Sequence, residues 1–293
     1  MDPLQFVAAS HVVIVAGKGG VGKTTVTAAA AVALARSGRR VLAVEVDGTG
    51  ALRRLLAVPD GSLVPLPSPL LEDGSIRVAT IDPEPSLAGY LSERGFGALG
   101  TTLSKSGMLN LIATAIPGIR DLVVLGRLRQ LTTAEEADVV LVDAPAAGHA
   151  LSFLRTPTDI VHTARSGPIR QQADASRAFI TDSSQVTVTL VTTPQATPVR
   201  ELIETAYSIE DELDLTLGPV VVNMVEPQYS SPATPSDADH AAREFLAARI
   251  RAEKGHISEL ADQLALPRIE LPRLDGNPSN IDHLQMLADR FSS

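Results

Sequence analysis

The stretch "VVIVAGKGGVGKTTVTAAAAVALA", residues 12–35, decides the fold. It opens on apolar, mostly β-branched residues, the composition of a parallel strand buried on both faces. A glycine-rich loop, "GKGGVGKT" (17–24), follows directly. "KTTVTAAAAVALARSG" (23–38) then has the alanine-rich make-up of a helix, with Gly38 as its C-cap. "RRVLAVEVD" (39–47) reads as a second buried strand ending in Asp47. Strand, loop, helix and strand in this order form a βαβ unit, which builds parallel sheets with right-handed crossovers.

The same pattern continues outward. Buried strands are expected at 75–82, 138–145, 185–194, 216–225 and 267–274, and helices at 197–213, 238–264 and 280–291. The expected fold is α/β, a doubly wound, mostly parallel sheet flanked by helices. Two stretches interrupt the alternation. Residues 48–74 are Pro-rich and read as loop after one short helix, and 84–133 read as a helical insertion. The whole of 1–293 is expected to be one domain, with no internal repeat.

The loop fits G-x-x-x-x-G-K-[ST] and sits where that motif works, after a strand and before a helix. Its glycines let backbone N–H groups curl around phosphate, and the helix N-terminus adds partial positive charge. The expected nucleotide-binding residues are Gly17, Lys18, Gly19, Gly20, Val21, Gly22, Lys23, Thr24 and Thr25. Lys23 is the phosphate-bridging point charge, and the Thr24 hydroxyl is a ligand for Mg²⁺. A Gly-rich turn opening a helix is the plain structural alternative.

Lysine usage adds a second clue. Of 25 basic residues only Lys18, Lys23, Lys105 and Lys254 are lysine, leaving 25 − 4 = 21 arginines. Half the lysines therefore lie in this one loop, where compact ammonium charges are wanted rather than planar forks.

The pattern K-G-G-x-G-K-T-T resembles the deviant Walker A ATPases: MinD, ParA, the nitrogenase iron protein, ArsA and the tail-anchored-protein targeting ATPases. The resemblance implies that Lys18 reaches the phosphates of a partner subunit, so that ATP joins a dimer. It also implies catalytic roles for Lys18, Lys23 and Asp47. "DAPAAGHALSFLRTP" (143–157) is similar to the switch segment of the ArsA and tail-anchored-targeting branch, with Gly148, His149, Leu151, Phe153 and Leu154 in register. Asp143 falls on the Walker B position, a carboxylate at a strand tip near Mg²⁺.

"RVLAVEVDGTGALRRLL" (40–56) is similar to that branch's first switch, with Asp47 on the water-polarising aspartate and "GTGA" (48–51) replacing its P-A-H-N. For Asp47 an ordinary strand-end carboxylate or helix N-cap is the structural alternative. By the same resemblance Glu201 approaches nucleotide at the dimer interface, Asn223 reads adenine, and "LPRLDGNP" (271–278), with Pro272, supplies the backbone loop over the base. A carboxamide matches the donor–acceptor edge of adenine, and an Asn ending a strand at a turn is the alternative.

Composition trims the functional classes. A net charge of −9 argues against non-specific nucleic-acid or anionic-membrane binding. The absence of cysteine excludes the branch's zinc clasp and arsenite capture by thiolates. Four methionines give no Met-lined groove for a transmembrane client. No signal peptide and no apolar run of membrane-spanning length is seen, so a cytoplasmic location is expected.

The expected function is a Mg-ATP-dependent ATPase switch, a homodimer or a heterodimer with a paralogue, coupled to a client or membrane partner. ATP and Mg²⁺ are the expected cofactors, without zinc. A catalytically weak ATP-binding paralogue and a MinD/ParA-like positioning ATPase are the competing readings.

Overall fold

A computed structural model describes Val7 and residues 10–46, 49–56, 75–83, 86–87, 117–134, 137–145, 149–227, 237–274 and 281–292. Seven strands form one sheet: β1 (Val12–Gly17), β2 (Arg40–Glu45), β3 (Ser75–Thr80), β4 (Val139–Asp143), β5 (Val186–Thr192), β6 (Val220–Val225) and β7 (Arg268–Pro272). The spatial order is β3-β2-β4-β1-β5-β6-β7, and every pairing is parallel. All seven sequence-expected strands are present.

The helices are α1 (Lys23–Arg36), α2 (Ala51–Leu55), α3 (Ile119–Ala134), α4 (His149–Thr163), α5 (Pro168–Ile180), α6 (Ala196–Tyr207), α7 (Asp237–Gln263) and α8 (Ile281–Asp289). A π-helical turn, Ser208–Glu212, extends α6. Most of the 48–74 and 84–133 segments lies outside the described residues. Within them, α2 is the short helix and α3 is helical as expected.

Alternating strand residues feed two cores. Val13, Val15, Val41, Ala43, Val139 and Leu141 pack with α1 and α8 on one face. Ile14, Leu42, Val44, Val140 and Val142 pack with α3, α4, α6 and α7 on the other. Burial on both faces is why these strands read as unbroken apolar runs. The doubly wound sheet follows.

The structure differs from expectation in two places. β6 starts at Val220 instead of 216, because Pro219 has no N–H to donate to a ladder. The residues before it make only an isolated bridge, Val188 with Leu217. Secondly, residues 149–180 form the helix pair α4 and α5, which sequence reading left unassigned. Pro157 inside α4 is a residue that usually ends a helix, although both helices carry a clear helical spacing of apolar residues.

Strand β2 is tied to β4 by Asp138, which accepts hydrogen bonds from the Arg40 backbone N–H at 2.8 Å and its guanidinium at 2.9 Å. The Arg40 side-chain bond, then its backbone bond, pulls the Asp138 pKa down from 3.8 to about 2. Folding thus favours the carboxylate, so the contribution is full above the unfolded-state pKa and fades as pH falls towards 2. Both side chains are partly exposed, so Asp138→Asn is expected to cost under about 1 kcal/mol at pH 7. Denaturant melts of variant and wild type should converge between pH of about 4 and 2.

Candidate nucleotide-binding site

The carboxyl ends of the strands define the site, as expected for an open parallel sheet. Leaving β1, the chain turns through Gly17, Gly20 and Gly22, all at positive φ. Two of these positions admit nothing larger. A Cβ on Gly17 would collide with the Val191 carbonyl of β5, and one on Gly22 with the Asn223 carboxamide of β6. The loop therefore lies directly on the neighbouring strands.

Helix α1 begins immediately after it, with no side-chain cap and no acidic residue in its first turn. An N-terminus left without a carboxylate cap keeps its N–H groups and partial positive charge for an anion. The Lys23 ammonium is buried and donates to the carbonyls of Gly17 at 3.0 Å and Lys18 at 3.2 Å. The cradle thus wraps its own cation, and its chemistry fits the polyphosphate of a nucleotide. Thr24 and Thr25, half-buried, occupy the first turn of α1.

Asp143 ends β4 and is only 6 % exposed. Its register partners are Val15 of β1 and Glu45 of β2. A buried carboxylate near the start of α1 and the Thr24 hydroxyl are hard oxygen donors, the set that suits Mg²⁺. These residues fit the cation.

Lys18 is placed differently from Lys23. Its side chain is half exposed and pairs with the Glu201 carboxylate of α6. Together they edge a cavity of about 340 Å³, lined also by Val21, Leu190, Ala150, Leu151 and Pro198. Glu201 is therefore brought to the loop through Lys18 of the same chain. The motif residues Phe153 and Leu154 are buried in the sheet core and anchor α4 beside this cavity.

Asn223 is 4 % exposed, and its carboxamide donates to the Val21 carbonyl at 2.9 Å. The next residue, Met224, has a φ of 61°, and the β6–β7 register shifts between Val222 and Val225. A bulge of this kind re-aims side chains. Pro272 pairs with Val225 at the same edge, and Arg273 donates its N–H to the Val225 carbonyl at 2.8 Å. Asn223 thus touches the loop directly, Pro272 lies on the next strand out, and Lys18 pairs with Glu201 of α6.

Asp47 and Gly148 lie outside the described residues, and His149 opens α4. A residue that sequence reading passed over is Glu45, the last residue of β2, 1 % exposed. The signal was available: it is the one charge inside the run "VLAVEV" (41–46). Among the described residues no helix is long and apolar enough to cross a membrane.

A family model described as "Anion-transporting ATPase", ArsA_ATPase, matches residues 10–165, more than half of the chain. The chain belongs to this family, and it is an ATP hydrolase. Among its relatives, the ATPase BagA of Mycobacterium tuberculosis is 29% identical over 88% of this chain and 86% of its own length. An ATPase GET3 of Chaetomium globosum is 30% identical over 50% of this chain and 42% of that protein. A putative arsenical pump-driving ATPase of Halobacterium salinarum is 22% identical over 92% of this chain and 42% of that protein.

Proposed function

We propose that this ATPase is a Mg-ATP-driven switch that closes as a dimer and couples closure to a client protein or membrane partner. The observation that carries the reading is the contrast between the two loop lysines. Lys23 is enclosed by carbonyls of its own loop, whereas Lys18 reaches outward to the rim of the cavity. An outward ammonium beside a phosphate cradle suits a phosphate held by a second copy of the chain.

Lys23 and the backbone N–H groups of residues 17–25 then hold the phosphates, and Asn223 and Pro272 border the base. Thr24 and Asp143 would hold Mg²⁺, which would supply charge neutralisation at the phosphates. Asp47 orients the attacking water and accepts its proton, and Glu201 exchanges its hold on Lys18 as the protomers meet. Lys18 from the facing protomer stabilises the charge that develops on the transferred phosphoryl group. The protein works in the cytoplasm, as a homodimer or with a paralogue, without nucleic acid.

A second reading has one observation in its favour. The segment Gly48–Ala51 departs from the branch's first switch, which suits a slow ATP-holding member of a hetero-complex. Turnover of the purified chain, measured per molecule over a range of protein concentrations, tests both. The dimeric switch predicts specific activity that rises with concentration and then saturates. A flat profile at measurable turnover contradicts it, and binding without turnover favours the second reading.

A further inference from the structure

Glu45 carries two different roles on its two carboxylate oxygens. Oε1 accepts from the Thr49 hydroxyl at 3.0 Å, the Ala51 N–H at 2.7 Å and the Leu52 N–H at 3.3 Å. It therefore caps α2 and pins residues 49–52, the segment directly after Asp47. Oε2 is buried and, among the described residues, accepts no hydrogen bond.

A carboxylate oxygen taken from water with nothing in return is costly. Capping alone does not account for it. A Ser or Thr side chain caps with its single hydroxyl oxygen and buries no second.

Strand parity says where this side chain goes. Val41 and Ala43 of β2, like Val139 and Leu141 of β4, belong to the core on the α1 side. Glu45 and Asp143 continue those alternations and are register partners on adjacent strands. Both carboxylates consequently leave the sheet on the face where α1 starts with Lys23 and Thr24. Like charges side by side repel one another, and a divalent cation beside Asp143 offsets that repulsion.

We propose that Glu45 is a positioning residue that links the metal site to the first switch. Oε1 holds residues 49–52, and Oε2 accepts a hydrogen bond from a water on the nucleotide-bound divalent cation. Loading of the cation then fixes Glu45, and through it residues 49–52, which follow Asp47 in the sequence. The inference rests on the Mg-ATP reading above and goes beyond it by giving the metal a connection to the switch.

Glu45→Gln separates the two roles, because its carbonyl still caps α2 while its amide cannot accept from the metal-bound water. The probe is Mg²⁺ itself, titrated against binding of a fluorescent ATP analogue. The half-saturating Mg²⁺ concentration is expected to rise about tenfold or more, the usual effect of losing an outer-shell partner. Melting without nucleotide should stay close to wild type. Trypsin cleavage after Arg53 and Arg54 should be slowed by Mg-ATP in the wild type and not in the variant.

Glu45→Asp, with its carboxylate drawn back by one methylene, is the second variant and should shift the Mg²⁺ midpoint in the same direction. Unchanged midpoints in both variants would overturn the proposal and leave Glu45 a helix cap. Wild-type protein whose nucleotide binding ignores Mg²⁺ would remove the Mg-ATP reading, and the coupling with it.

Discussion

Lys23→Ala is expected to weaken ATP binding by at least about thirtyfold. The ammonium is buried in the loop and hydrogen-bonded to two of its carbonyls. Truncating one partner of a buried, hydrogen-bonded charge contact costs roughly 2–5 kcal/mol. That corresponds to about thirtyfold to several-thousandfold in Kd. Removing the cation also leaves the Gly17 and Lys18 carbonyls facing inward without it, so the cradle itself relaxes. Isothermal titration with Mg-ATP reads the loss directly. A variant that binds within threefold of wild type would show that the loop does not hold the polyphosphate.

Lys18→Ala is expected to separate binding from turnover. In the single chain this side chain makes an exposed ion pair with Glu201, and such pairs contribute at most about 1 kcal/mol. Folding and the melting temperature should therefore barely change, and ATP should still bind through Lys23 and the loop. Turnover should fall at least about a hundredfold, the scale seen when one group aimed at developing charge is removed. Lys18→Arg should not rescue it, since a planar fork does not replace a compact charge in a tight phosphate cradle. Steady-state kcat and an independent binding measurement on the same preparation make the comparison. Equal losses of binding and turnover would place Lys18 on its own protomer's nucleotide.

The sheet was legible because parallel strands covered on both faces are apolar along most of their length, as β1 is throughout and, from Val41 and Val139, β2 and β4 are up to the carboxylates that end them. The loop was legible for a related reason: close approach to Val191 and Asn223 leaves only glycine at positions 17 and 22. What escaped the sequence was the work of residues with two neighbours. Asn223 was expected to read a base, and nothing along the chain shows that its carboxamide also props up the loop through the Val21 carbonyl. Glu45 passed as a strand residue because its cap on α2 and its register with Asp143 exist only in three dimensions. The α4–α5 pair was obscured by a proline at 157, a local preference overridden by packing of Phe153, Leu154 and Ile160.

The central claim, that nucleotide occupancy and association of two copies are one event, is tested most directly by sedimentation in the presence and absence of Mg-ATP. Asp47→Asn protein should hold the loaded state long enough to measure. The account predicts a doubling of mass on addition of Mg-ATP, none with ADP, and none when Lys18→Ala is combined with Asp47→Asn. Protein that binds Mg-ATP and sediments at the mass of a single chain would contradict it.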